Sequence, residues 1–250
     1  MASNDLCQST NEMGCLSAVL LDMDGTILDT TVELCSAVAS AANRMVPSLS
    51  LHHSQILSDY PNLYGGPLEE FHDTIIIPHR PGLTEDEHER STAEFIRFFL
   101  EEVKHSPPSP CFDDVLGALE GLKAKYPSLL FAVATTKPTK TAESDLTSSA
   151  VPDTLRSLLS HVQGTDAGIS PKPAPDVLLR CASAIGVDIE KTIYVGDTSR
   201  DSGAGRAAGC MMTVTVQRDA GKLGDKLGAH EVISDFMGIE GAFNRWRVES

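Results

Sequence analysis

The sequence predicts an α/β fold: a doubly wound, mainly parallel sheet of Rossmann-like topology, with a small helical domain inserted after its first strand. Short apolar runs recur along the chain at the length of strands that are buried on both faces. Segments with helical apolar spacing lie between these runs, and a repeating order of strand and helix is typical of a parallel sheet covered by helices. A long helical pattern separates the first apolar run from the second, which indicates the insert.

Three of the apolar runs end at a polar signature. Ligands in open α/β sheets bind outside the carboxyl ends of the strands, so these signatures are expected to meet in one crevice. The first apolar run, residues 15–21, is followed by Asp22 and Asp24. The second, residues 129–134, is followed by Thr135, and the third, residues 192–195, is followed by Gly196 and Asp197.

The predicted insert begins where the pattern changes from strand to helix. A second helical segment, residues 84–104, carries three phenylalanines on one face amid many acidic side chains. The prolines in residues 106–110 cannot continue a helix and suit a semi-rigid connection back to the core. We therefore predict a helical lid over residues 30–105 and a core formed by residues 1–29 with 106–250. The apolar positions behind these helices are Val32, Cys35, Ala39 and Ala42 in the first, and Phe95, Phe98 and Phe99 in the second.

The rest of the core alternates helices and strands. Proline near a first helical turn and glycine just beyond a last turn are typical helix boundaries, and both occur here. Helices are expected over residues 113–125, 175–185 and 199–208, and late strands over residues 213–216 and 231–233.

Four short stretches supply the side chains that phosphoryl transfer needs. Several carboxylates in one crevice would repel one another, since two unit charges about 4 Å apart interact by roughly 4 kcal/mol at an effective dielectric of about 20. A divalent cation and Lys172 are expected to offset them, and Mg²⁺ fits because it is hard and prefers oxygen ligands. The stretches are Asp22-Met23-Asp24-Gly25-Thr26, Ala134-Thr135-Thr136-Lys137, Pro171-Lys172-Pro173 and Gly196-Asp197-Thr198-Ser199-Arg200-Asp201.

In these stretches the chain resembles the haloacid dehalogenase superfamily of phosphotransferases, and more closely its phosphoglycolate phosphatase-like branch. The resemblance covers nearly the whole chain. One departure is visible, because Thr136 stands where the second motif of the family commonly continues with Asn, and a hydroxyl has fewer donors than an amide. The family motifs match in order, as Asp22-x-Asp24-Gly25-Thr26, then Thr135, then Lys172, then Gly196-Asp197-Thr198-x-x-Asp201.

The resemblance implies a mechanism and a set of ligands. Asp22 would attack phosphorus to form an aspartyl-phosphate. Asp24 would protonate the departing alkoxide and then activate the water that hydrolyses the intermediate. Thr135, Thr136 and Lys172 would bind the phosphoryl group. The implied ligands of Mg²⁺ are Asp22, the carbonyl of Asp24, Asp197, and Asp201 through water.

Each motif taken singly has a plainer explanation. The Asp22-x-Asp24-Gly25 sequence could form a turn or part of a calcium loop, although the further acidic ligands of an EF-hand do not follow. Thr135 alone suits a helix cap, and Lys172 alone suits a solvated loop. A turn before a capped helix would explain Gly196-Asp197-Thr198. Their occurrence together in the order of the family favours a functional site.

Three functions are compatible with these residues. The first is a magnesium-dependent phosphatase of a small phosphorylated metabolite, with 2-phosphoglycolate the leading candidate by resemblance. The second is a sugar-phosphate mutase of the same fold, similar to β-phosphoglucomutase, which would need a lid that excludes water. The third is a non-catalytic regulatory protein, which would have no need of a nucleophile such as Asp22. Dehalogenation is disfavoured, because an alkyl halide has no use for Asp24 or a metal site.

Within the lid, Tyr64-Gly65-Gly66-Pro67-Leu68-Glu69-Glu70 resembles the loop with which family caps approach the active site, and it is the candidate for substrate selection. Two glycines let the backbone come close to a ligand, and a simple turn between helices is the alternative. Four basic groups of the lid could bind a carboxylate of the substrate, although a surface role suits each one alone. These groups are Arg44, His72, His79 and Arg80.

Composition excludes several partners. A formal net charge of −15 argues against nucleic acid, whose phosphates are bound by surplus Lys and Arg. No apolar stretch reaches about 18 residues, so no membrane span is expected, and residues 1–14 fit neither a signal peptide nor a transit peptide. We expect a cytoplasmic monomer or homodimer. Its six cysteines, expected to be reduced because they lack paired metal spacing, are Cys7, Cys15, Cys35, Cys111, Cys181 and Cys210.

Overall fold

The computed structural model describes residues 16–61, 63–218 and 227–249, so the interpretation of residues 1–14 and of Cys7 and Cys15 lies outside the described part. The chain divides into two compact units. One unit is Asp29–Ser109, and the other combines Met1–Leu28 with Pro110–Ser250. We call the first the cap unit and the second the core unit.

The core unit is built on a six-stranded sheet in which every pairing is parallel, so the α/β prediction is confirmed. The spatial order of the strands is β3-β2-β1-β4-β5-β6, which places β1 inside the sheet. The strands are β1 (Ala18–Leu21), β2 (Leu130–Ala134), β3 (Leu159–Gln163), β4 (Thr192–Gly196), β5 (Met212–Val216) and β6 (Glu231–Ile233).

Strand β1 explains why the central strands are continuously apolar. Val19 and Leu21 belong to an apolar cluster on one face of the sheet, while Ala18 and Leu20 belong to a cluster on the other face. All four side chains are fully buried. A strand covered on both faces has no solvent side, so its sequence does not alternate.

Strand β3 was not predicted. Its sequence, Leu-Ser-His-Val-Gln, mixes apolar and polar residues, and its side chains are only partly covered because β3 forms an edge of the sheet. An edge strand of this kind lacks the apolar run that identified the others.

The cap unit is helical. Its first helix, α1, is followed by two short helices, and the long helix α4 begins at a capping box in which Thr84 and Glu87 bond reciprocally. A π-helical turn, His72–Ile76, and a 3₁₀ turn, Ile77–His79, lie between the last two helices. The helices of the cap unit are α1 (Thr31–Met45), α2 (His53–Asp59), α3 (Leu68–Phe71) and α4 (Glu85–His105).

Two predicted core positions of the cap unit differ from the structure. Phe95 and Phe99 are buried, but Phe98 is only partly covered, and the guanidinium groups of Arg44 and Arg97 contact its ring at 3.8 Å and 4.4 Å from the ring centre. Val32 is 57% exposed because it stands at the start of α1, one position after its first residue. Helical spacing identified the correct face of each helix but not where that face ends.

The helices of the core unit connect its strands. Helix α9 starts at a capping box formed by Thr198 and Asp201 and ends at Gly209, whose φ of +81° is left-handed. Among the described residues, no helix is long and apolar enough to cross a membrane. The helices are α5 (Asp113–Lys125), α6 (Thr139–Leu146), α7 (Asp153–Leu158), α8 (Asp176–Ala184), α9 (Ser199–Ala208) and α10 (Ile239–Glu249).

The register of the central strands brings their carboxyl ends together. Leu21 at the end of β1 pairs with Val133 in β2 and with Val195 in β4. The residues that follow β1, β2 and β4 therefore emerge side by side at one edge of the sheet, which is where the polar signatures of the sequence stand.

Candidate active site

The side chain of Lys172 is the centre of the site. It belongs to the loop between β3 and α8, and only 3% of it is exposed. Its Nζ lies 2.7 Å from Asp22 Oδ1 and 2.6 Å from Asp201 Oδ1. Burial alone would lower the pKa of Lys172, but the two carboxylates raise it overall. The ammonium therefore stays charged between them.

The carboxylate of Asp201 is surrounded by donors on both of its oxygens. Its Oδ1 accepts from Lys172, and the hydroxyl of Tyr194 lies 3.0 Å from the same oxygen. Its Oδ2 accepts from the backbone N–H of Thr198 at 3.0 Å and from the Thr198 hydroxyl. Burial opposes ionisation of Asp201, yet the ion pair and these hydrogen bonds lower its pKa. Both oxygens of this carboxylate are thus occupied by protein donors.

Asp22 and Asp197 lie close to Asp201, and we call these three residues the acidic group. Asp22 follows β1, its backbone N–H donates to Val195 O at 2.8 Å, and burial raises its pKa to about 7 against the opposing charge of Lys172. Asp197 follows β4 and accepts from the Thr26 hydroxyl at 3.2 Å. Burial, together with the charges of Asp201 and Asp22, raises the pKa of Asp197 well above its usual range. Two carboxyls are therefore costly to ionise here.

A hard divalent cation suits this donor set. One oxygen from each of Asp22, Asp197 and Asp201 lies within 4.8 Å of the others. With all three ionised, the carboxylates exceed the single charge of Lys172 by two negative charges. Carboxylate oxygen is the ligand that Mg²⁺ prefers, and a cation of charge two would balance the excess.

The side chain of Asp24 lies in a second ion pair. Lys137 Nζ is 3.0 Å from Asp24 Oδ1 and 2.7 Å from Asp145 Oδ2. The flanking carboxylates raise the pKa of Lys137 despite the opposing effect of its burial. Sequence reasoning gave Lys137 no role, although the residue stands directly after Thr136 in the second motif.

The two threonines of the second motif are positioned differently. Thr135 is 2% exposed, its backbone N–H donates to Gln163 O at 3.0 Å, and its hydroxyl accepts from the Lys137 N–H at 3.3 Å. The hydroxyl of Thr136 is buried and has no hydrogen-bond partner among the described residues. The expectation that both bind phosphate stays a prediction.

Tyr194 was also missed by sequence reasoning. Its hydroxyl accepts from Lys172 Nζ at 3.0 Å and lies 2.9 Å from the carbonyl oxygen of Ala134. The phenol therefore ties the lysine and Asp201 to the end of β2. The one feature of the sequence that could have identified Tyr194 is that a tyrosine interrupts the aliphatic residues of β4.

Three of the four basic groups considered for substrate binding are used inside the cap unit. Arg44 pairs with Glu101 at 2.9 Å, and Arg80 donates to the carbonyl oxygen of Met45 at 3.0 Å. His72 is fully buried, so the surface role expected for it is wrong, and its Nε2 lies 2.8 Å from the Ser91 hydroxyl. His79 is exposed.

A further group of metal-type ligands lies in the cap unit. His72, Asp73 and His88 each offer one atom within 4.8 Å of the others. Asp73 Oδ1 lies 3.0 Å from Nδ1 of His72 and 2.8 Å from Nε2 of His88, and a hydroxyl meets the second nitrogen of His72. Hydrogen bonds within the protein account for this group.

The stretch considered for substrate selection is only in part a loop: a turn at Gly65 is followed by α3, so its residues from Leu68 to Glu70 are helical. Gly65 has a φ of +77°, a conformation that favours glycine, and the Tyr64 hydroxyl before it lies 2.9 Å from the Thr31 hydroxyl. Its role toward a substrate stays a prediction.

Comparison with known proteins supports the interpretation of this chain as a phosphatase. Residues 19–215 match the family model described as haloacid dehalogenase-like hydrolase. The chain is 31% identical to the probable phosphatase IndB of Dickeya dadantii, an alignment that covers 76% of this chain and 77% of that protein. It is 30% identical to an N-acetylmuramic acid 6-phosphate phosphatase of Pseudomonas aeruginosa, covering 78% and 79%. It is 28% identical to a phosphoglycolate phosphatase of Chromobacterium violaceum, covering 78% and 82%.

Among solved structures, the fold is similar to that of a β-phosphoglucomutase from Clostridium difficile. The TM-score is 0.70 at 17% identity, over 93% of this chain and 99% of that one. At this sequence identity, the comparison shows that the two proteins share a fold.

Proposed function

Because this chain is a phosphatase that belongs to the haloacid dehalogenase-like hydrolase family, we propose that it hydrolyses the phosphate ester of a small hydroxy acid through a covalent intermediate on Asp22. The observation that carries this proposal is the buried ion pair between Asp22 and Lys172, 2.7 Å apart at the end of the central strand. A carboxylate beside a fixed cation can attack phosphorus while the cation offsets charge on the phosphoryl oxygens.

The proposed reaction has two displacements at phosphorus. In the first, an oxygen of Asp22 forms a bond to phosphorus, the bond from phosphorus to the ester oxygen breaks, and Asp24 gives that oxygen a proton. In the second, a water attacks phosphorus and gives its proton to Asp24, and the bond from phosphorus to Asp22 breaks. Splitting the hydrolysis in this way replaces one difficult step by two easier ones.

Lys172 has a positioning and electrostatic role in this proposal. Asp201 and Tyr194 fix the direction of its side chain, so the ammonium need not reorganise when charge develops on the phosphoryl group. A donor that is already in place stabilises a transition state more than one that must be ordered during the reaction.

Mg²⁺ belongs to the proposal as the cofactor. Asp22 and Asp197 would hold it directly with the carbonyl of Asp24, and Asp201 would support it through water, since both oxygens of Asp201 already accept hydrogen bonds. When bound, the ion supplies positive charge that stabilises the transferring phosphoryl group.

The names of two relatives support the proposed class of substrate. Phosphoglycolate and N-acetylmuramic acid 6-phosphate, named for two of the relatives, are both phosphate esters of acids. We therefore keep 2-phosphoglycolate as the leading substrate and the acid sugar phosphate as its competitor. Cys111, Cys181 and Cys210 have free thiols, which supports the proposal of a reducing, cytoplasmic environment.

The test is a phosphate-release assay against a panel of small phosphorylated metabolites with Mg²⁺. We expect 2-phosphoglycolate to be hydrolysed far faster than neutral sugar phosphates. Conversion of a sugar phosphate to its isomer without phosphate release would instead identify a mutase. Turnover of no substrate in the panel would contradict the proposal.

Asp22→Asn is the variant that tests the covalent step. An amide of almost identical shape is a poor nucleophile, so turnover should fall to background while the circular dichroism spectrum stays that of the wild type. Asp188→Asn is the matched control, because this side chain is 73% exposed and pairs only with Lys191 among the described residues. A near-normal rate in Asp22→Asn would show that the reaction does not proceed through a covalent intermediate on Asp22.

A further inference from the structure

Lys137 joins the carboxylate of Asp24 to a carboxylate outside the motifs. Its Nζ lies 3.0 Å from Asp24 Oδ1 and 2.7 Å from Asp145 Oδ2. The exposed fractions are 17% for the Lys137 side chain, 19% for that of Asp24 and 38% for that of Asp145. Ion pairs on an open surface contribute little, but this one is mostly covered and contains a side chain of the proposed mechanism.

The backbone around Lys137 is fixed from two sides. The Lys137 N–H donates to the Thr135 hydroxyl at 3.3 Å, and its carbonyl accepts from the Thr165 N–H at 3.0 Å. Gly164 packs so closely that a Cβ there would lie 2.3 Å from the Lys137 carbonyl oxygen. The backbone from which the Lys137 side chain extends is therefore fixed in position.

Asp145 sets the direction of the lysine side chain. Within the described chain, the only bonded partner of the Asp145 carboxylate is Lys137. Helix α6 carries Asp145 close to its end, eight residues after Lys137. Because the Asp145 carboxylate bonds to no other described group, we interpret its role as orienting the Lys137 ammonium.

The charges of this group argue against a role in binding a further anion. When all three groups are ionised, two carboxylates face one ammonium, so the group has a net negative charge. A phosphate or carboxylate of a substrate would meet no free positive charge there. The ammonium is already committed to Asp24 and Asp145.

We propose that Lys137 and Asp145 form a positioning pair that holds Oδ1 of Asp24, so that Oδ2, carrying the proton, faces the leaving group in the first displacement. This inference rests on the proposed function, because it takes Asp24 as the acid. A displacement of about 1 Å at a reacting group can cost about a hundredfold in rate, so a pair that holds Asp24 can matter without touching the substrate.

The first variant is Lys137→Met, which keeps the length of the side chain and removes the charge. On an alkyl phosphate, kcat should fall roughly ten- to a hundredfold, less than the loss from Asp24→Ala, which removes an acid typically worth about a hundred- to ten-thousandfold. On p-nitrophenyl phosphate the first turnover, which releases the phenolate before water attacks, should slow little, since that phenolate leaves with little need of a proton. KM should change little for both substrates.

Asp145→Asn tests the second member of the pair. It should reproduce part of the loss on the alkyl phosphate, and the double variant with Lys137→Met should be no worse than Lys137→Met alone. Lys137→Arg, which keeps the charge, should restore part of kcat. Lys140→Met and Glu143→Gln, both exposed on α6, are the matched controls and should match the wild type.

The decisive comparison places Lys137→Met in the Asp24→Ala background. If the lysine acts through Asp24, it should cause no further loss on the alkyl phosphate there. An equal slowing of the first turnover on both substrates, or a full additional loss in the Asp24→Ala background, would overturn the positioning role while leaving the proposed phosphatase intact. A wild-type protein that hydrolyses neither substrate would overturn the proposed function, and this inference with it.

Discussion

Gly196 shows how the absence of one side chain shapes the acidic group. A Cβ at this position would lie 2.3 Å from Cγ and 2.4 Å from Cβ of Asp201. Non-bonded carbon atoms do not approach so closely, so only glycine lets Asp201 lie against the end of β4. The carboxylate then reaches both Lys172 and Thr198.

Gly196→Ala should therefore displace Asp201 and impair the site. We expect turnover to fall at least tenfold and the free energy of unfolding to fall by about 1–3 kcal/mol, the usual cost of an overpacked interior. Urea denaturation and steady-state kinetics measure the two effects. Gly121→Ala is the control: nothing lies within 4 Å of the new methyl group on the exposed side of α5, and it should stabilise by about 0.5–1 kcal/mol. Unchanged stability and kcat in Gly196→Ala would contradict this account.

Residues of the site differ in how far the sequence could identify them. Asp22, Lys172 and Asp197 stand at the ends of apolar runs or within a family motif, so pattern and resemblance single them out. Tyr194 and Asp145 have no such mark. Tyr194 contacts Ala134, which lies 60 residues earlier. Asp145 acquires its role through Lys137, which contacts Asp24 across 113 residues, and no local pattern predicts such contacts.

At the scale of elements, the start of α4 is stabilised by the reciprocal bonds of Thr84 and Glu87. The Glu87 carboxylate accepts from the Thr84 N–H at 2.9 Å, and the Thr84 hydroxyl accepts from the Glu87 N–H. Hydrogen bonds from Thr84 lower the pKa of Glu87. The box satisfies donors that the first turn of a helix leaves without partners.

Thr84→Ala should lower the free energy of unfolding by about 0.5–2 kcal/mol, as is usual for loss of an N-cap side chain. Chemical denaturation followed by far-UV circular dichroism measures it. Thr141→Ala provides the comparison, because this exposed threonine lies inside α6 and alanine has the better helix propensity there. Equal stability of the two variants would mean that the box contributes nothing to the stability of the cap unit.

Elements were predictable where burial imposes a strong pattern. The long helices α1 and α4 carry apolar stripes, and β1, β2 and β4 are apolar on both faces. The edge strand β3 and the short helices α6 and α7 expose much of their length, so their sequences are constrained mainly by polar contacts. A pattern of hydrophobicity cannot distinguish such segments from loops.

At the scale of the whole molecule, the acidic group should couple the stability of the fold to divalent cations. A ligand that binds only the folded state at about a hundred times its Kd stabilises by about 2.7 kcal/mol. For a chain of this size, that gain corresponds to roughly 5–10 °C in Tm. We expect Mg²⁺ to raise Tm by this amount, measured by differential scanning calorimetry.

Asp197→Asn should abolish that rise, because it removes one of the proposed ligands. A matched concentration of sodium chloride is needed as the reference, since screening of the net charge of −15 alone changes stability. Excess chelator should abolish turnover, and calcium should not restore it because the larger ion takes more ligands at longer distances. A rise in Tm that persists in Asp197→Asn would place the cation elsewhere.

The position of β1 inside the sheet also governs how the protein assembles during synthesis. Ala18 pairs with Leu130 and with Thr192, so at about 5–20 residues per second the ribosome releases β1 roughly 6–20 s before its first partner. The cap unit, one continuous segment with its own apolar cluster, is synthesised within that interval. The nascent chain therefore carries an apolar strand without a partner, a state in which chaperones protect against aggregation.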